Sequence, residues 1–212
     1  MLNISKVSYL LRPTPLYPVL RPLLEASALH QWRKSQRPPA PLAVKAEIIR
    51  QFAAKYGLRI FIETGTFFGD MLADLQNNFD QLTSIELDLS LAAKARQRFH
   101  HEAKIRILQG DSGLKLAEEI TALEQPALFW LDAHFSGGVT AAGDSDTPIL
   151  AELHDIFAAP LLEHVILIDD ARLFGTAPDY PSLPQINELV LSHRPGWIVS
   201  VETDIIRIEP GR

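Results

Sequence analysis

From residue 43 onward the apolar positions follow two alternating periods. Ile48, Ile49, Phe52, Ala53 and Tyr56 share one face of a helix, and Gly57 is placed to end it. Short apolar runs then recur: "LRIFIE" (58–63), "LTSIEL" (82–87), "KIRILQ" (104–109), "ALFWLD" (127–132) and "HVILID" (164–169). A segment long enough for a helix separates each run from the next, which predicts a parallel sheet with helices on both faces. The pattern changes at the end. After a helix near 183–193, opened by a Ser182-x-x-Gln185 capping box, "GWIVSVETDIIRIEP" reads as two strands joined by a couple of residues. That connection is too short for a parallel crossover, so the pair is expected to be an antiparallel hairpin.

The first 42 residues look different, and here composition changes the picture. Seven of the fifteen prolines lie between Pro13 and Pro41, which predicts short helical or extended pieces. Up to residue 58 the chain carries nine lysines and arginines against two acids, and after it eleven against twenty-four, that is +7 followed by −13. A basic arm of this kind attracts phosphates or acidic lipids, or docks on the chain's own acidic body; docking is the expectation here, on this molecule or on a second subunit of a homo-oligomer. Residues 1–42 are thus read as a proline-rich basic extension and residues 43–212 as one domain. The 212-residue chain is 47% hydrophobic and 22% charged, enough to bury a sizeable core. It has no cysteine, which excludes disulfides, thiolate metal sites and a cysteine nucleophile. No charged-then-apolar leader pattern and no apolar run near the ~20 residues of a bilayer span are visible. A cytoplasmic protein is expected, with no membrane and no nucleic-acid partner.

Open sheets of this type bind ligands at the carboxyl ends of their strands. Glu63, Glu86, Asp111, Asp132, Asp169 and Asp170 all fall at or just beyond the five predicted parallel strands. Any one of them is explained as the N-cap of the following helix; six together point to a site. The turn after the first run is "ETGTFFG", with Gly65 and Gly69 four residues apart and Glu63 at its mouth. A carboxylate there disfavours pyrophosphate, because two like charges about 4 Å apart repel by ~4 kcal/mol at an effective dielectric near 20. The G-x-G-x-x-G pattern and the phosphate-loop lysine are also absent. A ligand with an adenosyl end and a cationic end suits the turn better, with Glu86 accepting from ribose hydroxyls and Glu63 beside the cation. S-adenosylmethionine is such a ligand.

On these residues the chain resembles the class I S-adenosylmethionine-dependent methyltransferases, over roughly residues 43–209. The resemblance implies a Rossmann-like, doubly wound α/β fold with a seven-stranded, mostly parallel sheet and a C-terminal antiparallel strand. "ETGTFFG" looks like the family's acid-x-G-x-x-x-G motif, although Phe67 replaces a glycine often found at the middle position. By the same resemblance Glu63 and Gly65 lie along the methionine part of the cofactor, Glu86 in "SIELD" holds the ribose, Asp111 in "QGDSG" meets the adenine amino group with Ser112 adjacent, and Thr66, Gly69 and Ser112 complete the cofactor-binding set. Asp111 or Ser112 also serves as an N-cap for the next helix, using different atoms.

The acceptor is read from the other strand ends. The "[DN]-P-P-[FY]" signature of enzymes that methylate exocyclic or amide nitrogens is absent after the fourth strand, where "LDAHFSGG" stands. Asp132 with Asp169 and Asp170 is similar to the metal-binding acids of cation-dependent O-methyltransferases of the catechol and macrocin types, which implies Mg2+ held by these three residues. His134, two residues past Asp132, is a candidate base for an acceptor hydroxyl. The glycine-rich "FSGGVTAAGDSDTP" reads as a mobile lid ending at a Thr147-Pro148 helix start, and Arg172, Phe174 and Tyr180 in the later loop are candidates to line an acceptor pocket. The expected activity is O-methylation of a small molecule or sugar with divalent-cation assistance. Two rivals stand beside it: a cofactor-binding scaffold without transfer activity, and a metal-dependent hydroxylase on the same fold.

Overall fold

The computed structural model describes residues 4–12, 14, 16–132, 148–159, 163–177 and 179–211. His134 and most of the glycine-rich stretch before Pro148 lie outside these residues. In chain order the elements are α1 (Ile4–Leu11), α2 (Tyr17–Ser35), α3 (Leu42–Tyr56), β1 (Ile60–Thr64), α4 (Asp70–Leu75), β2 (Gln81–Glu86), α5 (Leu89–Arg98), β3 (Ile105–Gln109), α6 (Ser112–Thr121), β4 (Ala127–Leu131), α7 (Ile149–Ala158), β5 (Val165–Ile168), a 3-10 turn (Ala171–Leu173), α8 (Leu183–His193), β6 (Ile198–Glu202) and β7 (Ile205–Glu209). Among the described residues no helix is long and apolar enough to cross a membrane.

The predicted starts and stops are largely those found. Gly57 ends α3 in the left-handed region with its N–H on the Ala53 and Ala54 carbonyls, and Ser182 and Gln185 form the reciprocal cap of α8. Asp88 and Asp111 cap α5 and α6 by accepting from backbone N–H groups of their first turns. The sheet order is β3-β2-β1-β4-β5-β7-β6. β1 through β5 are parallel, and β7 pairs antiparallel with both β5 and β6. The antiparallel strand therefore lies inside the sheet, with β6 at its edge. The hairpin turns at Thr203 and Asp204, both at positive φ, the backbone twist that suits a two-residue hairpin. Asp204 ties this turn to the chain after β5, since its carbonyl accepts from Ala171 N–H and its carboxylate from Arg172 N–H at 2.9 Å.

Because side chains alternate along a strand, the sheet buries two separate apolar layers. Phe61, Leu128, Trp130 and Leu167 meet Ile49, Phe52, Leu72 and Ala95 of α3, α4 and α5 on one face. Ile62, Phe129, Leu131 and Ile166 meet Leu116, Leu153, Ile186 and Val190 of α6, α7 and α8 on the other. Strand order reverses between β1 and β4, so their carboxyl ends open the crevice where such folds hold ligands.

The arm is more helical than its prolines suggest: α2 runs for 19 residues through Pro22. Pro18 falls in the first turn, where no N–H is needed. Docking on the acidic body is what the structure shows. Buried Tyr17 donates its hydroxyl to Asp70 at 2.9 Å, Arg12 lies 3.2 Å from the same carboxylate, and Arg21 pairs with Asp74. Arg98 of α5 completes the cluster at 2.9 Å. Asp70 opens α4, where the helix dipole also favours a negative charge. These cations hold its carboxyl below the usual range, with the Arg98 hydrogen bond first among them, against the upward push of burial.

Candidate functional site

The turn from β1 to α4 builds one wall of the crevice. Gly65 and Gly69 both have positive φ, and a Cβ at Gly69 would come within 2.7 Å of the Phe99 ring. A side chain at Gly69 thus meets strain and a buried ring together. Gly69→Ala is expected to lose about 2 kcal/mol of stability in a denaturant melt; a loss under about 0.5 kcal/mol would show that the turn relaxes freely. Phe67 also has positive φ, at the position where the resembling family often has glycine. Its strain is offset by three contacts: its N–H donates to Glu86 at 2.7 Å, the Tyr9 ring stacks on it, and the Arg12 guanidinium lies 5.2 Å from its ring centre. Two of those partners come from the arm.

Glu63 is buried at the end of β1, accepting the Ser84 hydroxyl at 2.7 Å, and Ser84 in turn meets Thr66. Burial pushes Glu63 up to about 8, and the charges of Asp132 and Glu86 add to the push. Glu86 ends β2 with its carboxylate on the N–H groups of Phe67 and Asp88, and it too is raised by burial. Neither Glu63 nor Glu86 forms an ion pair among the described residues. Asp111 caps α6 through Gly113 N–H at 2.8 Å, and Ser112 is buried behind it. The structure thus gathers Glu63, Gly65, Thr66, Gly69 and Glu86 around one turn, with Asp111 and Ser112 at the end of the strand beside β2.

One acid in this region has no part in the strand-end pattern. Glu152 of α7 is buried, its Oε1 and the nearby Thr64 Oγ1 have no hydrogen-bond partner among the described residues, and burial pushes its carboxyl up to about 7. Its signal was present in the chain, because position 152 falls on the same helical face as Ile149, Leu153 and Ile156.

Asp132, Asp169 and Asp170 follow the ends of β4 and β5. Asp132 follows β4 directly, its N–H on the Thr64 carbonyl. Asp169 is buried, accepts from Asp170 N–H at 2.9 Å, and forms an ion pair with Lys45 of α3, a residue 124 positions away. Burial and Asp132 push Asp169 up while Lys45 pulls it back, and the acids keep Lys45 protonated against its own burial. Lys45 Nζ also stands 6.0 Å from the centre of the Trp130 ring. Asp170, at positive φ, accepts from Arg172 at 2.6 Å, and Arg172 reaches Asp204 as well. Arg172 is therefore a tie between loops. Phe174 is buried against the edge of Tyr180.

Lys45 is the residue that the strand-end pattern could not show, although it lies on the apolar face with Ile48, Ile49 and Phe52. Its presence bears on the metal. Among the described residues no three acids or histidines are placed to hold an ion, Asp169 already carries an ammonium, and Asp170 carries a guanidinium. A divalent ion, which requires several oxygens at short range, would have to displace Lys45. As arranged, these residues do not fit it.

No family model and no curated protein matches the chain in sequence. Solved structures do match in fold. The O-methyltransferase TomG of Streptomyces achromogenes, involved in tomaymycin synthesis and solved with S-adenosylmethionine, is 19% identical, with a TM-score of 0.57 over 88% of this chain and 89% of that one. A Bacillus cereus O-methyltransferase bound to S-adenosylhomocysteine is 13% identical, with a TM-score of 0.56 over 87% and 89%. An S-adenosylhomocysteine-bound methyltransferase of Podospora anserina is 16% identical, with a TM-score of 0.56 over 87% and 88%. The chain has the fold of S-adenosylmethionine-dependent methyltransferases. The carboxyl ends of β1 and β4, where open sheets of this type hold ligands, carry Glu63 and Asp132 at or just beyond them.

Proposed function

We propose that the protein is an S-adenosylmethionine-dependent O-methyltransferase acting on a hydroxyl of a small molecule or sugar. The observation that carries this reading is the pair Glu63 and Glu86, buried carboxylates on either side of a glycine turn that no cation neutralises among the described residues. Such a pair is costly in an empty pocket and suited to a cationic ligand with a diol. The donor set fits S-adenosylmethionine: Glu86 for the ribose, Glu63 near the positive end, Gly65, Thr66 and Gly69 for close backbone approach, and Asp111 with Ser112 toward the adenine. The cofactor, when bound, supplies a methyl group on a positively charged sulfur.

This chain's residues then hold the acceptor in line. With the cofactor bound, an acceptor hydroxyl would have to be held in line with that methyl group, and its proton would pass to a base of this chain. The candidate bases are His134, the one read from the sequence, and Asp132, which follows β4 directly. No step is assigned to Mg2+, since Asp132, Asp169 and Asp170 as arranged do not fit it. The neighbours' own names, O-methyltransferases, support oxygen as the acceptor atom.

Titration calorimetry with S-adenosylmethionine tests the reading. Wild type is expected to bind, and Glu86→Ala to bind roughly ten- to a hundredfold more weakly, the loss of a charged acceptor on the ribose. Unchanged affinity in the variant would remove Glu86 from the site. Binding with no turnover on any hydroxyl acceptor would favour a cofactor-binding scaffold.

A further inference from the structure

The geometry points to Lys45 as the resident cation of the acceptor pocket: its ammonium occupies the place among Asp132, Asp169 and Asp170 that a divalent ion would take, and the pocket works without added metal. This rests on the reading of the strand-end acids as the acceptor end of a methyltransferase crevice.

Three features carry it. Lys45 is bound to Asp169, and the negative charges of Asp132 and Asp170 also act on its ammonium. It is delivered by a helix and not by a loop: α3 packs on the sheet through Ile48, Ile49 and Phe52, and the Trp130 ring lies 6.0 Å from the ammonium. A charge held this way needs little reorganisation when an acceptor oxygen develops negative charge during transfer, which is the property that makes fixed charges effective in catalysis. Arg172 anchors Asp170 from the other side and ties it to the Asp204 turn, so the acids are spaced by protein cations at two points. A divalent ion entering this arrangement would meet the lysine charge first and would have to displace it from Asp169 before gaining a full set of oxygens.

The test uses Mn2+ alone, followed by electron paramagnetic resonance on the chelator-treated full chain. Wild type is expected to show no saturable site below millimolar Mn2+. Lys45→Met removes the charge while keeping an unbranched side chain one atom shorter, and it is expected to gain a single site at least about tenfold tighter than anything in wild type. Lys45→Arg keeps the charge and is expected to behave as wild type. Stoichiometric Mn2+ binding by wild type overturns the inference, as does a well-folded Lys45→Met that binds no more Mn2+ than wild type. Circular dichroism melts check folding; if Lys45→Met does not fold, Lys45→Gln, which retains a donor toward Asp169, takes its place. The methyltransferase reading fails separately, by an absence of S-adenosylmethionine binding to wild type, which the Mn2+ titration does not measure.

Discussion

Glu63→Gln is expected to make the ligand-free protein more stable at alkaline pH while weakening its hold on S-adenosylmethionine. Burial raises the Glu63 carboxyl from 4.5 to about 8 in the folded chain. The folded state therefore keeps a proton that the unfolded state releases between these values. Stability from this group is full below about pH 4.5, falls as pH rises through the window, and reaches its floor above pH 8. The total fall is on the order of 4 kcal/mol, from a shift of several pKa units at about 1.4 kcal/mol each. Glutamine is neutral at every pH and its carbonyl still accepts the Ser84 hydroxyl. Its advantage should be close to zero near pH 4.5 and grow to a melting-temperature gain of roughly 10 °C at pH 9. The same change removes the negative charge beside the expected sulfonium. Affinity for S-adenosylmethionine should drop about tenfold or more, and affinity for the uncharged sulfur of S-adenosylhomocysteine should drop less. Melts at the two pH values and paired calorimetric titrations give the answer; equal melting gains at both pH values would remove Glu63 as a buried titrating group.

Asp70→Ala is expected to destabilise the chain by about 2 to 4 kcal/mol and to detach the arm. Asp70 is buried and receives Tyr17, Arg12 and Arg98 directly, with Arg21 3.8 Å away, so its removal leaves several partly buried cations facing one another. Because these partners hold the Asp70 carboxyl low, its contribution is present above the ordinary carboxylate pKa of 3.8 and is lost as pH falls through the lowered value. The wild-type and variant melts should therefore converge only in strong acid. Detachment has a consequence at the site. Arg12 and Tyr9 both rest on Phe67, whose N–H holds Glu86. Limited proteolysis should cut the variant within residues 1–40 faster than wild type, and calorimetry should show weaker cofactor binding. If the arm stays protected and stability changes by less than about 1 kcal/mol, the Asp70 cluster is a surface ion pair of ordinary worth.

The strand ends were legible because their signals are local. A run of apolar residues closing on an acid, followed by a glycine turn or a helix cap, is written within about ten neighbouring positions, and Glu63, Glu86, Asp111, Asp132 and Asp169 were all found that way. The same holds for the Ser182–Gln185 cap and for the two-residue hairpin, whose length alone excluded a parallel crossover. Glu152 and Lys45 were half legible. Each is a charged residue on the buried face of its helix, a signal that marks a site without naming its partner.

The chain's order by itself determined the alternation of strands and helices and hence the crevice at the ends of β1 and β4. What only the tertiary structure decided is which distant groups meet there. β7 lies between β5 and β6 with Ile205, Ile206 and Ile208 buried while β6 is mostly exposed, and the Asp204 turn seats against Ala171 and Arg172. Phe67, at positive φ, is covered by Tyr9 and Arg12 of an arm more than fifty residues earlier. The pairing of Lys45 with Asp169 depends on which turn of α3 comes to rest over the end of β5. A helix can rotate by one residue, about 100°, and keep much of its apolar stripe against the sheet while moving its lysine out of reach. Charge partnerships across such distances are set by packing, which selects one rotation and register from several that the local pattern allows.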